Sequence, residues 1–139
     1  QNIDGLHTAA GSKTVYELHG SSLRNYCTSC GEFYGLDYIL ESEGIPRCRE
    51  CGSIIKPDVV LYEEALDQRV IENAVRAVES ADTMIVGGTS LEVYPAASLV
   101  RYFNGGSLVL INKSPTRYDN TASLIIREPI GEMLDMAVN

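Results

Sequence analysis

The clearest indication of the fold class is the stretch Thr83-Met84-Ile85-Val86-Gly87-Gly88-Thr89-Ser90. Its first four residues form a largely apolar run, which stops at the two glycines. A continuous apolar run of this length is typical of a strand that is buried on both faces of a parallel sheet. The glycine pair predicts the end of that strand and a turn after it. The stretch therefore favours an α/β fold, which the sequence on either side supports.

Helical and strand-like segments alternate around this run. Before it, residues 66–78 carry apolar side chains at helical spacing, and Val59-Val60-Leu61-Tyr62 is a strand candidate. After it, a helix is predicted to begin at Tyr94-Pro95-Ala96-Ala97 and to end at Asn104-Gly105-Gly106. The remaining predicted elements are strands at 107–111 and 124–126 and a helix at 131–138. This order predicts a Rossmann-like parallel sheet with helices on both faces.

Four cysteines form two C-x-x-C pairs. Cys27 and Cys30 form the first pair and Cys48 and Cys51 the second, with 17 residues between the pairs. This spacing is typical of a zinc site in which four thiolates surround the ion at about 2.3 Å. Disulfides and a redox pair are the alternatives, but the sequence carries no secretion signal, and intracellular thiols stay reduced. Because four thiolates leave no position for water, the predicted zinc stabilises structure and does not catalyse.

The segment around the cysteines differs from the rest of the chain. Leu36, Ile39 and Leu40 recur at helical spacing between the two pairs and predict a short helix over the metal site. We expect residues 23–57 to form a small zinc-ribbon module. This module would be inserted into the Rossmann-like domain, which we assign to residues 1–22 and 58–139.

Composition narrows the possible functions. The 139 residues are 45% hydrophobic, enough for a real core. The net charge is −8, from 11 basic and 19 acidic residues, which argues against binding to nucleic acid or to an anionic membrane. The sequence has neither a long apolar run nor a signal peptide near Gln1. We therefore expect a cytoplasmic protein with no membrane partner.

Ligands of open α/β sheets bind beyond the carboxyl ends of the strands, so residues that follow a predicted strand are candidates for a site. Val15-Tyr16-Glu17-Leu18 is a further short strand candidate, which ends before His19. The candidate segments are Gln1 to Asp4, His19-Gly20, Gly87-Gly88-Thr89-Ser90 and Asn112-Lys113-Ser114. The glycine pair permits close backbone approach to a phosphate or ribose, although a glycine pair at the end of a strand is more often an ordinary turn.

Several of these residues have both a functional and a structural interpretation. His19 is the better candidate for a general base, but a structural histidine fits the same pattern. For His7 we favour a structural role. Asp4 is either a helix cap or a site carboxylate, and Asn112 either contacts a ribose or caps the following turn.

Taken together, these segments resemble the sirtuins, the family of NAD-dependent protein lysine deacylases. The resemblance rests on Gln1-Asn2-Ile3-Asp4-Gly5-Leu6-His7, Glu17-Leu18-His19-Gly20-Ser21, the two cysteine pairs, Gly87-Gly88-Thr89-Ser90-Leu91-Glu92-Val93-Tyr94-Pro95-Ala96-Ala97 and Leu110-Ile111-Asn112. Their order and spacing match across nearly the whole chain. The resemblance implies NAD-dependent removal of acyl groups, chiefly acetyl, from lysines of a protein or peptide partner. Nicotinamide and O-acyl-ADP-ribose would be the products, and NAD and Zn²⁺ the cofactors.

The resemblance also implies a role for each matching position. His19 would be the catalytic base, which draws a proton through the ribose hydroxyls after the acyl oxygen has attacked the sugar carbon that bears nicotinamide. Asn2 and Asp4 would complete the catalytic group in the nicotinamide and ribose pocket, Asn2 also positioning water. Further NAD contacts are implied at Gln1, Gly88, Thr89, Ser90, Asn112, Lys113 and Ile130.

Substrate binding is implied at Val60, Leu61, Tyr62, Glu64 and Val93, which would grip an extended peptide by strand addition. The sequence departs from the family at Glu63, where the family has a glycine. Peptide geometry or preference is therefore expected to differ here.

The family's first strand and its Gly-Ala-Gly-Ile-Ser phosphate loop have no counterpart in these residues. Because Gln1 stands in mid-motif, we expect the natural polypeptide to begin earlier. We expect the 139-residue chain alone to bind NAD weakly and to turn over little, and its exposed sheet edge to permit a homodimer. The alternative function is a zinc-ribbon module that binds a protein or an ADP-ribose-like ligand without catalysis.

Overall fold

The computed structural model describes residues 1–138 and contains two compact units. The first runs from Gln1 to Ile71, and the second begins at Glu72. The first holds an antiparallel sheet and the second a parallel one. No helix among the described residues has the length and apolar character needed to cross a membrane. The domain boundaries that the sequence suggested stay a prediction, and their last residue, Asn139, lies outside the described part of the chain.

The first unit is built on three short antiparallel strands in the order β2-β1-β3. Its elements are α1 (Leu6–Ala9), β1 (Gly20–Cys27), β2 (Phe33–Gly35), α2 (Leu36–Leu40) and β3 (Ile55–Val59). Cys27, Tyr34, Cys48 and Ile55 form its buried cluster, and two side chains of α2 pack against that cluster. The predicted short helix over the cysteine site is therefore confirmed.

The strand predicted at Val15–Leu18 is wrong. The chain turns there, with the Gly20 amide donating to the Glu17 carbonyl at 3.0 Å, and β1 begins only at Gly20. Gly20 has φ +78°, and a Cβ at this position would collide with the carbonyl oxygen of Asp58 on β3. Glycine thus sets where β1 can approach β3. As a result, His19 precedes a strand and does not follow one.

The strand predicted at Val59–Tyr62 is also wrong beyond its first residue. Val59 ends β3, because its partner Gly20 is the first residue of β1 and the ladder has no further pairing. After it, the Glu64 amide donates to the Leu61 carbonyl at 3.1 Å and closes a turn. Apolar and aromatic side chains favour a strand only where a neighbouring strand is present to pair with them.

The second unit contains the parallel sheet in the order β4-β5-β6. Its elements are β4 (Thr83–Gly87), a 3₁₀ helix (Ala96–Tyr102), β5 (Ser107–Ile111), a second 3₁₀ helix (Asp119–Thr121), β6 (Leu124–Ile126) and α4 (Ile130–Val138), and α3 (Gln68–Glu79) spans the boundary between the units. The predicted α/β class, with a Rossmann-like parallel sheet and a zinc ribbon, is confirmed. The helix expected near Tyr94 is a 3₁₀ helix.

Two details of this unit follow from local chemistry. The carboxylate of Asp67 accepts the amides of Arg69 and Val70 at 2.8 and 3.1 Å, which explains why α3 begins at Gln68 and not at Leu66. The parallel pairing of β4 is confirmed, but its burial on both faces is not, since Ile85 is 53% exposed. Within residues 1–138, β4 pairs with β5 alone. Homodimer formation through this edge stays a prediction.

Candidate functional site

The four cysteine sulfurs converge at one point of the first unit. All lie within 4.8 Å of one another, and the Cys27–Cys51, Cys30–Cys48 and Cys30–Cys51 pairs are 3.4, 3.5 and 3.6 Å apart. A tetrahedral zinc with sulfur at about 2.3 Å requires sulfurs about 3.8 Å apart. The thiols are all free. The donor set and its spacing therefore fit a structural Zn²⁺ held by these four residues.

Groups around two of the sulfurs, those of Cys48 and Cys51, stabilise the thiolate form, whereas the neighbouring thiols raise the pKa of Cys30 to about 12. The Tyr34 hydroxyl donates to Cys48 Sγ at 3.2 Å, and this hydrogen bond lowers the pKa of Cys48. The backbone amide of Ser53 and, to a lesser extent, its side chain donate to Cys51 and lower the pKa of that thiol to about 6. Tyr34 is itself fixed by the Arg49 amide, which donates to its oxygen at 2.8 Å. A metal site whose ligands receive such bonds holds a cation more firmly than bare thiols would.

The ring of His19 is held by a backbone carbonyl. Its Nδ1 lies 3.0 Å from the carbonyl oxygen of Gln1. Because a carbonyl only accepts hydrogen bonds, Nδ1 carries the hydrogen in this contact, and in the neutral ring Nε2 carries the lone pair. The His19 carbonyl accepts the Val60 amide at 3.1 Å, which fixes the backbone on the other side. The half-buried ring is thus oriented with its basic nitrogen away from Gln1.

The segment before α1 lies beside this histidine. The Ile3 carbonyl accepts both the amide and the hydroxyl of Ser22 at 3.0 Å, so β1 anchors the segment. Asn2 is exposed between the anchored Ile3 and Gln1. Asp4 is exposed, and its carboxylate accepts the Leu6 amide at 3.0 Å, although the N-cap residue of α1 is Gly5 and not Asp4. The structure therefore places the predicted Gln1, Asn2 and Asp4 on the segment that contacts His19.

A charged network anchors the turn that contains His19. Arg24 on β1 donates to Glu17 at 2.6 Å and to Asp58 at 2.9 Å. It thus connects the residues before the histidine to two strands. No local sequence pattern indicates this network, because the partners are 7 and 34 residues from Arg24.

In the second unit, the glycine turn and Asn112 follow neighbouring parallel strands. Gly87 is paired with Ile111, and the Gly88 amide donates to the Ile111 carbonyl at 3.0 Å. Gly88 has φ +62°, a conformation that glycine adopts readily. The structure therefore brings Gly88 and Asn112 together at the carboxyl ends of two neighbouring strands, which is where ligands of such folds bind.

The other residues proposed to contact NAD in this unit lie beside Gly88 and Asn112 or at the start of α4. The Thr89 hydroxyl accepts the Leu91 amide at 3.2 Å, and Ser90 and Lys113 are exposed. The Asn112 side chain donates to the Ser114 carbonyl at 2.9 Å, so Asn112 caps the following turn, which is the structural alternative given for it above. Ile130, at the start of α4, lies against Gly87 so closely that a Cβ there would collide with it.

The residues proposed to meet a substrate are largely open to solvent. Leu61, Tyr62 and Val93 are 54%, 100% and 55% exposed, while Val60 is half-buried. Glu64 has a structural role, because its carboxylate accepts the Leu61 amide at 2.9 Å and lies 3.3 Å from the ammonium group of Lys56. Val93 belongs to the second unit and the other residues to the first.

Known proteins resemble this chain over almost its full length. The chain is 61% identical over 139 residues to the NAD-dependent protein deacetylase of Clostridium acetobutylicum, covering 99% of this chain and 57% of that protein. It is 59% identical over 140 residues to the enzyme of the same name from Clostridium perfringens, covering 100% of this chain and 57% of that protein. The chain thus spans little more than half the length of these relatives.

Solved structures give the same result. A sirtuin structure from work on substrate affinity matches with a TM-score of 0.91 and 40% identity, covering 99% of this chain and 61% of that one. A complex of Sir2 with a p53 peptide and NAD⁺ matches with a TM-score of 0.87 and 40% identity, covering 100% of this chain and 62% of that one. The sequence model of the Sir2 family matches residues 1–95. The chain, with its cysteine cluster and its carbonyl-bound histidine, belongs to the Sir2 family.

Proposed function

We propose that this chain provides the catalytic base, the structural zinc site and part of the NAD site of an NAD-dependent protein deacetylase. The contact between His19 and the Gln1 carbonyl carries this proposal, because it fixes the ring against the segment that holds Asn2 and Asp4 and leaves the basic nitrogen, Nε2, on the other side of the ring. The names of the Clostridium relatives support the activity.

The chemistry assigned to His19 follows from its hydrogen bond. Bound NAD supplies a ribose carbon that carries nicotinamide as a leaving group. Nε2 of His19 would be the nitrogen available to accept a proton from a ribose hydroxyl, since Nδ1 already carries one. The Gln1 carbonyl then stabilises the protonated ring, because it faces the Nδ1 hydrogen in both states. The segment from Gln1 to Asp4 helps to enclose the reacting groups and to exclude water.

The remaining NAD contacts are proposed in both units. Gln1, Asn2 and Asp4 are assigned to the nicotinamide and its ribose. The exposed backbone at Gly88 and the hydroxyls of the next two residues suit phosphate and ribose. The full set in the second unit is Gly88, Thr89, Ser90, Asn112, Lys113 and Ile130.

The proposed substrate is a protein or peptide with an acylated lysine. Solved relatives described as Sir2 bound to an acetylated peptide support this class of partner. The exposed apolar side chains of Leu61, Tyr62 and Val93 are assigned to peptide contacts, together with Val60 and the turn at Glu64. We propose the cytoplasm as the location, because four zinc-binding thiols need a reducing compartment.

Substitution of the two histidines tests the proposal. We would prepare a chimera that adds to this chain the part of the Clostridium acetobutylicum relative outside the match, and we would compare His19→Ala with His7→Ala. His7 is a matched control, because it is exposed on α1 and has no assigned role in catalysis. Nicotinamide release and loss of acetyl from a lysine peptide, followed by mass spectrometry, are the measurements.

The expected result is a loss of at least about a hundredfold in rate for His19→Ala, with zinc content and thermal stability retained, and no loss for His7→Ala. Equal activity of the two variants would contradict the role of His19. If the unmodified chimera binds ADP-ribose and zinc but releases no nicotinamide, the non-catalytic module is the better interpretation. The 139-residue chain alone is expected to show little turnover in the same assay.

A further inference from the structure

The loop between β5 and the second 3₁₀ helix, residues 112–118, carries two residues of the proposed NAD site, Asn112 and Lys113. Its first amide continues the sheet, since the Asn112 amide donates to the Ile126 carbonyl at 3.0 Å. Beyond that point the loop leaves the sheet, and contacts from outside it must fix its conformation.

Arg127, the residue directly after β6, contacts the first half of the loop, while Arg117 and Tyr118 in its second half bond to Tyr94 and Ala97. One nitrogen of the Arg127 guanidinium, Nη1, donates to the carbonyls of Asn112 and Ser114, both at 2.9 Å. The other, Nη2, donates to the carboxylate of Asp119. The planar guanidinium has donors in a fixed arrangement, so three acceptors bound at once also fix their mutual positions.

Asp119 extends this contact to the middle of the loop. Its Oδ1 accepts the amide of Thr116 at 3.0 Å and the hydroxyl of the same residue at 2.8 Å. Burial opposes ionisation of Asp119, but the hydrogen bonds from Thr116 and Arg127 hold its pKa below the ordinary value. The side chains of Arg127 and Asp119 are 34% and 21% exposed, so water screens this ion pair less than it would screen a fully exposed one.

We propose that Arg127 is a positioning residue for the cofactor: it holds the 112–118 loop in the shape that presents Asn112 to the adenosine ribose of NAD. This inference rests on the proposed function, because it assigns Asn112 to the ribose. Arg127 itself touches the loop backbone and is not assigned to the cofactor. Loss of Arg127 should therefore weaken NAD binding while leaving the rate at saturating NAD unchanged.

Three variants test this role. Arg127→Gln removes the positive charge and leaves one donor nitrogen. Arg127→Lys keeps the charge but replaces the planar guanidinium by a single ammonium nitrogen. Arg76→Gln is the matched control. Arg76 lies on α3, where its guanidinium donates to the Asn73 side chain of the same helix. The ligand is ADP-ribose in calorimetry on the 139-residue chain and on the chimera, and the second readout is hydrogen exchange at the Thr116 amide.

We expect Arg127→Gln to raise the Kd for ADP-ribose and the KM for NAD about tenfold, with kcat unchanged, and to accelerate exchange at Thr116. Arg127→Lys should restore part of the affinity, and Arg76→Gln should behave as the unmodified chain. Unchanged exchange at Thr116 would overturn the positioning role whatever happens to NAD. Faster exchange with unchanged affinity would overturn it as well.

Failure of the proposed function gives a different pattern. In that case the unmodified chimera itself would not bind ADP-ribose, although the hydrogen-exchange effect of Arg127→Gln would remain. If Arg127→Gln unfolds the unit, the Kd of Arg127→Lys for ADP-ribose becomes the test. Lysine cannot bind all three acceptors in the same geometry, so a Kd equal to that of the unmodified chain would contradict the proposal.

Discussion

At the scale of single residues, Tyr34 connects the zinc site to the sheet of the first unit. Its ring is buried on β2, and its hydroxyl donates to Cys48 Sγ and accepts the Arg49 amide. The hydrogen bond also raises the pKa of Tyr34 to about 12, so the hydroxyl remains a donor at neutral pH. A single oxygen thus orders the second cysteine turn and stabilises the charge of one ligand.

Replacement of this hydroxyl should weaken metal retention. We expect Tyr34→Phe to reduce zinc affinity by about tenfold or more, since bonds to metal ligands typically contribute that much. Tyr38→Phe is the matched control, because the Tyr38 hydroxyl donates to the Arg47 carbonyl and not to a sulfur. The measurement is zinc transfer to a coloured chelator. Equal transfer from both variants would show that Tyr34 has no such role.

Glu63 has an unfavourable backbone conformation. Its φ is +70°, a region where side chains with a Cβ are strained. We expect Glu63→Gly to raise the free energy of unfolding by about 0.5 to 1 kcal/mol, the relief of strain exceeding the entropy cost of glycine. Glu43→Gly, at a residue without positive φ, should destabilise the chain. Urea denaturation of both variants measures the difference, and a loss of stability in Glu63→Gly would contradict the account.

At the scale of elements, the turn Leu61–Glu64 ends the strand that the sequence predicted to continue. The carboxylate of Glu64 accepts the Leu61 amide and contacts Lys56 on β3, so it closes the turn onto the sheet. The Leu61 amide first, and then Lys56, lower the pKa of Glu64. This turn precedes α3 and carries three of the side chains proposed to contact the substrate: Leu61, Tyr62 and Glu64.

The lowered pKa predicts a pH dependence of stability. Because the folded state binds the proton of Glu64 less readily than the unfolded state, the contribution is fully present above the ordinary pKa of a glutamate. It is lost as pH falls through the lower pKa of the folded state. We expect the stability advantage of the unmodified chain over Glu64→Gln to shrink between about pH 5 and pH 3. Thermal unfolding at several pH values measures it, with Glu43→Gln as a surface control. A pH-independent difference would argue against the proposed contacts.

At the scale of the whole molecule, the two units have separate cores. The core of the first includes Cys27 and Cys48, so it depends on the cysteine site. The core of the second consists of apolar side chains alone: Leu91, Ala97, Val100, Leu108 and Leu110. Metal binding should therefore stabilise one unit much more than the other.

Zinc removal tests this division. We expect a chelator to accelerate amide exchange at Cys27 and Ile55, while exchange at Leu108 and Leu110 changes little. The reason is that without the cation no metal ion links the two cysteine pairs, so the first core loses support, whereas the residues of the second core include no metal ligand. Hydrogen exchange followed by mass spectrometry resolves the two regions. Loss of protection at Leu108 equal to that at Cys27 would show that the units do not unfold separately.

Local sequence signals determined much of this protein. The spacing of the four cysteines specified the zinc site, and the apolar runs at 83–86 and 107–111 specified parallel strands, because these features depend on neighbours within a few residues. Glycine marked the turn at Gly88 for the same reason.

Only the tertiary structure decided where the strands begin and which charges meet. The start of β1 at Gly20 depends on the approach of Asp58, and the end of β3 at Val59 depends on the end of its partner. The contacts of Arg24 and Arg127 join residues that are up to 34 positions apart, and Tyr34 reaches a sulfur 14 positions away. Sequence patterns carry no record of such pairings, since they arise only when distant segments pack together.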